Sequence, residues 1–303
     1  MNTQRFDRPW SFLDHAAPYL EAQEAVNNLF LGILVRLAAE HYEENAFMAS
    51  VQQDSSIDLA GLYFQTNLLL SHGQVAAIPA LAEELSIGGW KVPGVIGPSD
   101  LVESFASIWA ERQGCTSTRW VQQRIFRLNQ VLPPSGVPGT PRLAEASDIP
   151  LLAEWHRQFD KDVRRTDGTM SPEQELKNAE KRVLEGKTYF WIRDTTPVCM
   201  AAQARPTANG IAINGVFTPA EHRCHGYASA LVAAVSQMSL DSGREFCTLY
   251  TDLDNPISNS IYQKIGYKPV GDSTVYRFES RAKKAGKPKN HGSKTSYLSR
   301  FVD

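Results

Sequence analysis

Between Val216 and Val235 the chain reads VFTPAEHRCHGYASALVAAV, a loop dense in polar chemistry set between two apolar stretches. A strand-like apolar run ends at Pro219; an acid, two histidines and an arginine follow, and Gly226 then opens a stretch with helical periodicity. A helix N-terminus carries unpaired N–H groups and roughly half a positive charge. A glycine at that point lets the backbone come close to a ligand, and an anion sits there readily. Arg223 adds a guanidinium that can grip phosphate oxygens through two parallel hydrogen bonds. Arg223, Gly226 and Ala228 at a strand-to-helix junction therefore read as a pyrophosphate cradle. They read equally as an ordinary turn with a surface arginine, because the spacing alone recurs by chance.

The surrounding elements must hold that loop in place. GIAINGVF before it is an apolar strand, and the helix after it puts Tyr227, Leu231, Ala234, Val235 and Met238 on one face. EFCTLYTD then reads as a strand, Pro256 to Ile265 as a short helix, and STVYRFE as a last strand. Upstream, RLAEAS is a strand, and Asp148 can cap a helix running to about Val163. SPEQELKNAEKRVLEG opens with a serine cap and a first-turn proline and closes on Gly186. TYFWIR and PVCMAAQARP look like paired strands. One strand–helix–strand crossover near Val216 to Tyr250 implies locally parallel strands, hence a mixed α/β domain.

With these elements around them, VFTPAEHRCHGYASAL and TDLDNPISNSIYQKIGYKPV resemble the GNAT superfamily of acetyl-CoA-dependent N-acetyltransferases, most clearly over residues 140–279. The resemblance implies the GNAT fold for the second half. It implies that Arg223, Cys224, His225, Gly226, Tyr227 and Ala228 hold the pyrophosphate of coenzyme A, and that Val216, Phe217 and Thr218 bond the pantetheine arm as an added strand. It places Asn255 on pantetheine or the thioester, and makes Tyr262 the proton donor to the departing thiolate. Two positions depart from the family pattern: Cys224 stands where glycine is common, and Ala228 replaces a glycine, as in many members.

Acetyl transfer by direct attack in a ternary complex needs a neutral amine, an oxyanion stabiliser and an acid for the thiolate. Strand N–H groups near Phe217 are the expected stabiliser. A phenol of pKa about 10 is close to that of a leaving thiolate, which suits Tyr262. The base is open. The strand IAING lacks the carboxylate that many relatives carry there, which leaves Asp252, Asp254, His222, Glu221 or a water relay. A contrasting reading is a non-catalytic acyl-CoA-binding or assembly module. No G-x-S-x-G elbow or H-E-x-x-H pair supports a hydrolase.

The first half invites comparison with the second. After a helical region over about Ala17 to Glu44 come FMASVQQ and IDLAGLYFQT as paired strands, NLLLSHG as a strand, and QVAAIPALAEEL as an amphipathic helix. VIGPSDLVESFASIWAERQGC then parallels TLYTDLDNPISNSIYQKIGY. If this is a copy, it has lost its site. No Arg-x-x-Gly-x-Ala enters its first helix, and Trp109 stands where Tyr262 would.

Length and charge bound the rest. A chain of 303 residues exceeds one ordinary core. LPPSGVPGTPR cannot continue a helix or a central strand. The expected layout is a degenerate GNAT-like or accessory α/β domain over 1–131, a Pro-rich linker over 132–141, an N-acetyltransferase domain over 142–280 and a basic, disordered tail over 281–303. That tail holds seven Lys or Arg and one Asp. The remainder carries 24 bases and 32 acids, which argues against a nucleic-acid-binding core. No apolar run approaches the roughly 18 residues of a membrane span. The N-terminus lacks a basic-then-apolar signal pattern, and four scattered cysteines read as free thiols of a reducing cytoplasm. The expected partners are acetyl-CoA and an amine acceptor, with no nucleic acid and no metal. Homodimerisation stays open.

Overall fold

The structure, a computed structural model, describes residues 1–42, 46–162 and 170–280. The basic tail lies outside them. The first half runs β1 (Asn2–Phe6), α1 (Pro9–Glu21), α2 (Asn28–Ala39), β2 (Phe47–Gln53), β3 (Ser56–Phe64), β4 (Asn67–Leu70), a 3-10 turn at Val75–Ala77, α3 (Ile78–Ile87), β5 (Gly94–Pro98), α4 (Ser99–Gln113) and β6 (Cys115–Leu128). The second runs β7 (Thr140–Leu143), α5 (Ile149–Asp162), α6 (Pro172–Leu184), β8 (Thr188–Arg193), β9 (Thr196–Ala204), β10 (Gly210–Phe217), α7 (Tyr227–Asp241), β11 (Phe246–Asp252), α8 (Pro256–Ile265) and β12 (Lys268–Ser280). Both halves thus repeat one order: strand, two helices, three strands, helix, strand, helix, strand. The mixed α/β class expected from the sequence is present in each.

The chain divides into two compact units. The first takes residues 1–126, 250–255 and 269–280; the second takes 127–249 and 256–268. In the first, strand neighbours run β1-β2-β3-β4-β5-β12, with β12 antiparallel to β5 from Ser273↔Pro98 to Arg277↔Gly94. Its core packs Phe47, Leu59, Leu68, Leu81, Phe105 and Trp109, all 2% exposed or less. Trp109 stacks on Phe105 at 5.5 Å between ring centroids, so the indole fills the core and donates nothing to a ligand. In the second unit the order is β11-β10-β9-β8-β7, all antiparallel except β10 beside β11.

Local sequence explains most boundaries. Ser171 Oγ accepts the Gln174 N–H at 3.2 Å and Pro172 follows as the first helical residue, so α6 begins where the serine cap predicts. Two expectations are corrected. The helical region expected over about Ala17 to Glu44 starts earlier, at Pro9, and consists of two helices, α1 and α2, while Glu44 lies outside the described residues. Buried Asn27 spends its side chain on the Leu20 carbonyl at 2.7 Å and on the His72 backbone N–H at 2.8 Å, which turns the chain there. The cap ahead of α5 centres on Glu145 rather than Asp148: a 3-10 turn at Ala146–Asp148 intervenes, and the Asp148 carboxylate reaches back to the Glu145 N–H at 2.8 Å.

The proline-rich stretch is fastened to the second unit. The Trp191 indole N–H donates to the Pro138 carbonyl at 2.9 Å, and the Leu132 N–H to the Ile265 carbonyl at 2.7 Å.

Candidate functional site

Two geometric events mark the far end of β10 in the second unit. The parallel register of β10 with β11 covers only Gly210↔Phe246 to Ala212↔Thr248, so beyond Ala212 β10 presents backbone that β11 no longer pairs. On its other side the register with β9 slips between Asn214 and Phe217, where Gly215 takes the left-handed φ of +59°. Phe217 anchors the end of the strand. Its ring is 5% exposed and lies 6.0 Å from Trp155 and 6.5 Å from Phe159, so only its backbone is available for binding. Burial of each such aromatic stabilises the strand end by about 1.5–3 kcal/mol.

The loop then turns sharply into α7. After a 3-10 turn at Ala220–His222, Cys224 (φ +65°) and Gly226 (φ +80°) are both left-handed, and Gly226 is the N-cap of α7 with no side-chain cap. Left-handed residues in such a turn aim successive N–H groups to one side, a shape that receives anions. At φ +80° glycine carries no strain, and a Cβ there would meet Val137 Cγ2 at 3.1 Å and push that methyl aside by a few tenths of an ångström. Cys224 adopts the same backbone region with a side chain. Cys224→Gly is therefore expected to stabilise the fold by up to about 1 kcal/mol, seen as a Tm rise of about 2–4 °C in calorimetry. A lower Tm would mean that the exposed thiol makes a contact of its own.

The side chains of the loop are partnered. Arg223 Nε donates to the Thr218 carbonyl at 3.0 Å, and Nη2 lies 2.6 Å from Asp162. Both partners of that ion pair are half-exposed, at 49% and 51%, so it contributes little stability and can be exchanged for a phosphate. The His225 Nδ1–H donates to the Arg223 carbonyl at 2.7 Å and its ring stacks on Tyr227 at 5.5 Å. The Tyr227 hydroxyl, in a residue 2% exposed, accepts from Arg193 at 2.8 Å. Ala228 lies in the first turn of α7.

Tyr262 sits on α8 with its ring 6.1 Å from Tyr267, edge to face. Burial pushes its phenol above the ordinary value, and the nearby Cys199 thiol pushes in the same direction. Cys199 itself, fully buried on β9, is raised to about 12 and stays protonated. Asn255 belongs to the segment 250–255 counted with the first unit, where its N–H closes a turn onto the Asp252 carbonyl at 3.0 Å. Of the carboxylates considered as bases, Asp252 accepts the Asp254 N–H at 2.9 Å and Glu221 is exposed. All four cysteines are free, and among the described residues no His, Cys, Asp and Glu cluster could hold a metal ion.

One residue went unnoticed in the sequence. His156 lies on α5 between Trp155 and Phe159, and its Cε1 is 3.8 Å from where a Cβ on Gly215 would stand. Its Nε2 is closed off from solvent and has no hydrogen-bond partner. Burial, and secondarily the charge of Arg182, hold its pKa well below the ordinary 6.5. A histidine on the apolar face of an amphipathic helix was the available signal. A folded-state pKa below the unfolded one means stability is present above about pH 6.5 and lost as pH falls, because the unfolded chain then takes up a proton that the fold refuses. His156→Gln should flatten that acid limb in urea titrations between about pH 7 and 5. An unchanged limb would place the proton uptake elsewhere.

The family model for the Acetyltransferase (GNAT) family matches residues 151–267. Those residues are a GNAT acetyltransferase domain. They take in β10, the Cys224–Gly226 turn, α7, α8 and His156. No curated protein matches the sequence. Solved structures do match in fold. A Drosophila protein superposes with a TM-score of 0.63 at 12% identity, covering 92% of this chain and 98% of that one. A GNAT-family acetyltransferase from Colwellia psychrerythraea has a TM-score of 0.56 at 7% identity over 92% and 99%. A GCN5-related N-acetyltransferase from Sphaerobacter thermophilus reaches 0.56 at 14% over 80% and 84%. At these identities the likeness establishes the fold alone. Among the described residues no helix is long and apolar enough to cross a membrane.

Proposed function

We propose that the second unit transfers an acetyl group from acetyl-CoA to an amine by direct attack in a ternary complex, in the cytoplasm. Acyl transfer is the chemistry of the family to which residues 151–267 belong. The observation that carries the finer reading is the divergence of β10 from β11 after Ala212, which leads into the left-handed Cys224–Gly226 turn at the head of α7.

In this reading the free backbone of Val216, Phe217 and Thr218 bonds the pantetheine arm, and strand N–H groups there stabilise the thioester oxyanion. The pyrophosphate rests on the N–H groups of residues 224–228, and Arg223 leaves Asp162 to pair with it. Tyr262 protonates the departing thiolate. Asn255 positions the thioester. The proton that the amine sheds on attack leaves through Asp252, Asp254, His222 or Glu221, or by a water relay. His156, whose burial keeps its pKa well below the ordinary 6.5, is a structural residue beside Gly215.

Thiol release from acetyl-CoA, followed over a library of small amines, amino acids and peptides, tests the reading. Release with one amine class supports it. Tight acetyl-CoA binding with no release from any amine would favour the non-catalytic module.

A further inference from the structure

The turn at the head of α7 carries one ring that a backbone cradle for phosphate leaves unused. His225 stands between the left-handed residues Cys224 and Gly226, and it is exposed. Its imidazole is nonetheless fixed at one edge and on one face. The Nδ1–H donates to the Arg223 carbonyl at 2.7 Å and lies 3.3 Å from the His222 carbonyl. The ring stacks on that of Tyr227, 5.5 Å between centroids and 11° from parallel.

The supporting ring is fixed in turn. Tyr227 is 2% exposed, and its hydroxyl accepts from Arg193 Nη1 at 2.8 Å. An exposed side chain ordinarily keeps its rotamer freedom, which a ligand must then remove. His225 has given up that freedom already, so a flat partner meeting it orders little further. The near-parallel phenol covers one face of the imidazole, and the exposure of the residue leaves the remainder to solvent.

An exposed aromatic face is a surface on which nucleobases stack, with little regard to their hydrogen-bonding edges. In coenzyme A the pyrophosphate joins pantetheine on one side to adenosine on the other. A pyrophosphate on the N–H groups of residues 224–228 therefore leaves the adenine one ribose away from the backbone that bears His225. Resting on the acetyl-CoA reading of this loop, we infer that the His225 ring is the stacking platform for that adenine. The domain then takes its acyl group from a nucleotide-bearing acyl-CoA in preference to an acylated phosphopantetheine, which has no base. The backbone cradle would receive a phosphate of either donor. The side chain of His225 tells them apart.

Isothermal titration of the full chain with acetyl-CoA and with S-acetyl-4′-phosphopantetheine tests this. The wild type should bind acetyl-CoA more tightly. His225→Ala should weaken acetyl-CoA about fivefold or more, as loss of a stacking ring does, and leave S-acetyl-4′-phosphopantetheine unchanged. Alanine also deletes the bond to the Arg223 carbonyl, so two further variants separate the ring from the bond. His225→Phe keeps a ring without the N–H and should bind acetyl-CoA close to the wild-type affinity. His225→Asn keeps a donor without the ring and should fall with alanine. The residue is exposed, so none of these changes should unfold the chain. Equal acetyl-CoA affinity in wild type and His225→Ala would overturn the inference. An equal loss of both donors in that variant, or a phenylalanine variant as weak as the alanine one, would overturn it too. In each of these outcomes the wild type still binds acetyl-CoA, so the acetyl-transfer reading survives. A wild type that binds neither donor would remove both.

Discussion

Gly226→Asp is expected to abolish the thermal protection conferred by acetyl-CoA. A ligand bound only to the native state adds RT ln(1 + [L]/Kd), about 2.7 kcal/mol at a hundredfold excess over Kd. In Gly226→Asp the carboxylate faces the pyrophosphate and opposes that binding, whereas the new Cβ, 3.1 Å from Val137 Cγ2 at a left-handed φ of +80°, lowers the Tm of the free and bound protein alike. Gly226→Asn carries the backbone and steric effects without the charge. The gap between the two variants therefore isolates electrostatic repulsion, and the asparagine variant should keep part of the shift. Full protection of the aspartate variant would place the phosphates away from the head of α7.

Tyr262→Phe is expected to lower kcat by about 10²–10⁴ while acetyl-CoA affinity and fold stay close to wild type. One oxygen is removed and almost no volume. Because burial raises the Tyr262 pKa above its ordinary 10.0, the phenol remains a proton donor throughout the neutral range. The wild-type rate should then show no alkaline decline from this group below about pH 10. Wild-type turnover in Tyr262→Phe would reduce the tyrosine to a packing residue beside Tyr267. The acid would then be water or another group.

Much of the second unit was legible from local chemistry. The Ser171 cap and Pro172 announce α6, and Gly226 announces the start of α7. These signals are readable because capping and left-handed turns depend on a few adjacent residues. The helix break at Asn27 escaped the same reading. The asparagine's decisive partner, the His72 N–H, is 45 residues away.

The sequence by itself determined the element order of the second half, the mixed α/β class and the Arg223–Ala228 turn into a helix; in the first half β1, β6 and the division into α1 and α2 emerged only in the folded chain. Tertiary structure alone decided that β12, the last described strand, pairs with β5 of the first half, since a strand's alternation says which face is buried and not which strand lies beside it. It alone brought His156 of α5 against Gly215 of β10, and set Tyr262 near Cys199. It also brought Arg193 of β8 to the Tyr227 hydroxyl at the head of α7. A proton affinity or a binding charge depends on what surrounds a group in space, and those surroundings come from residues that only the folded chain makes neighbours.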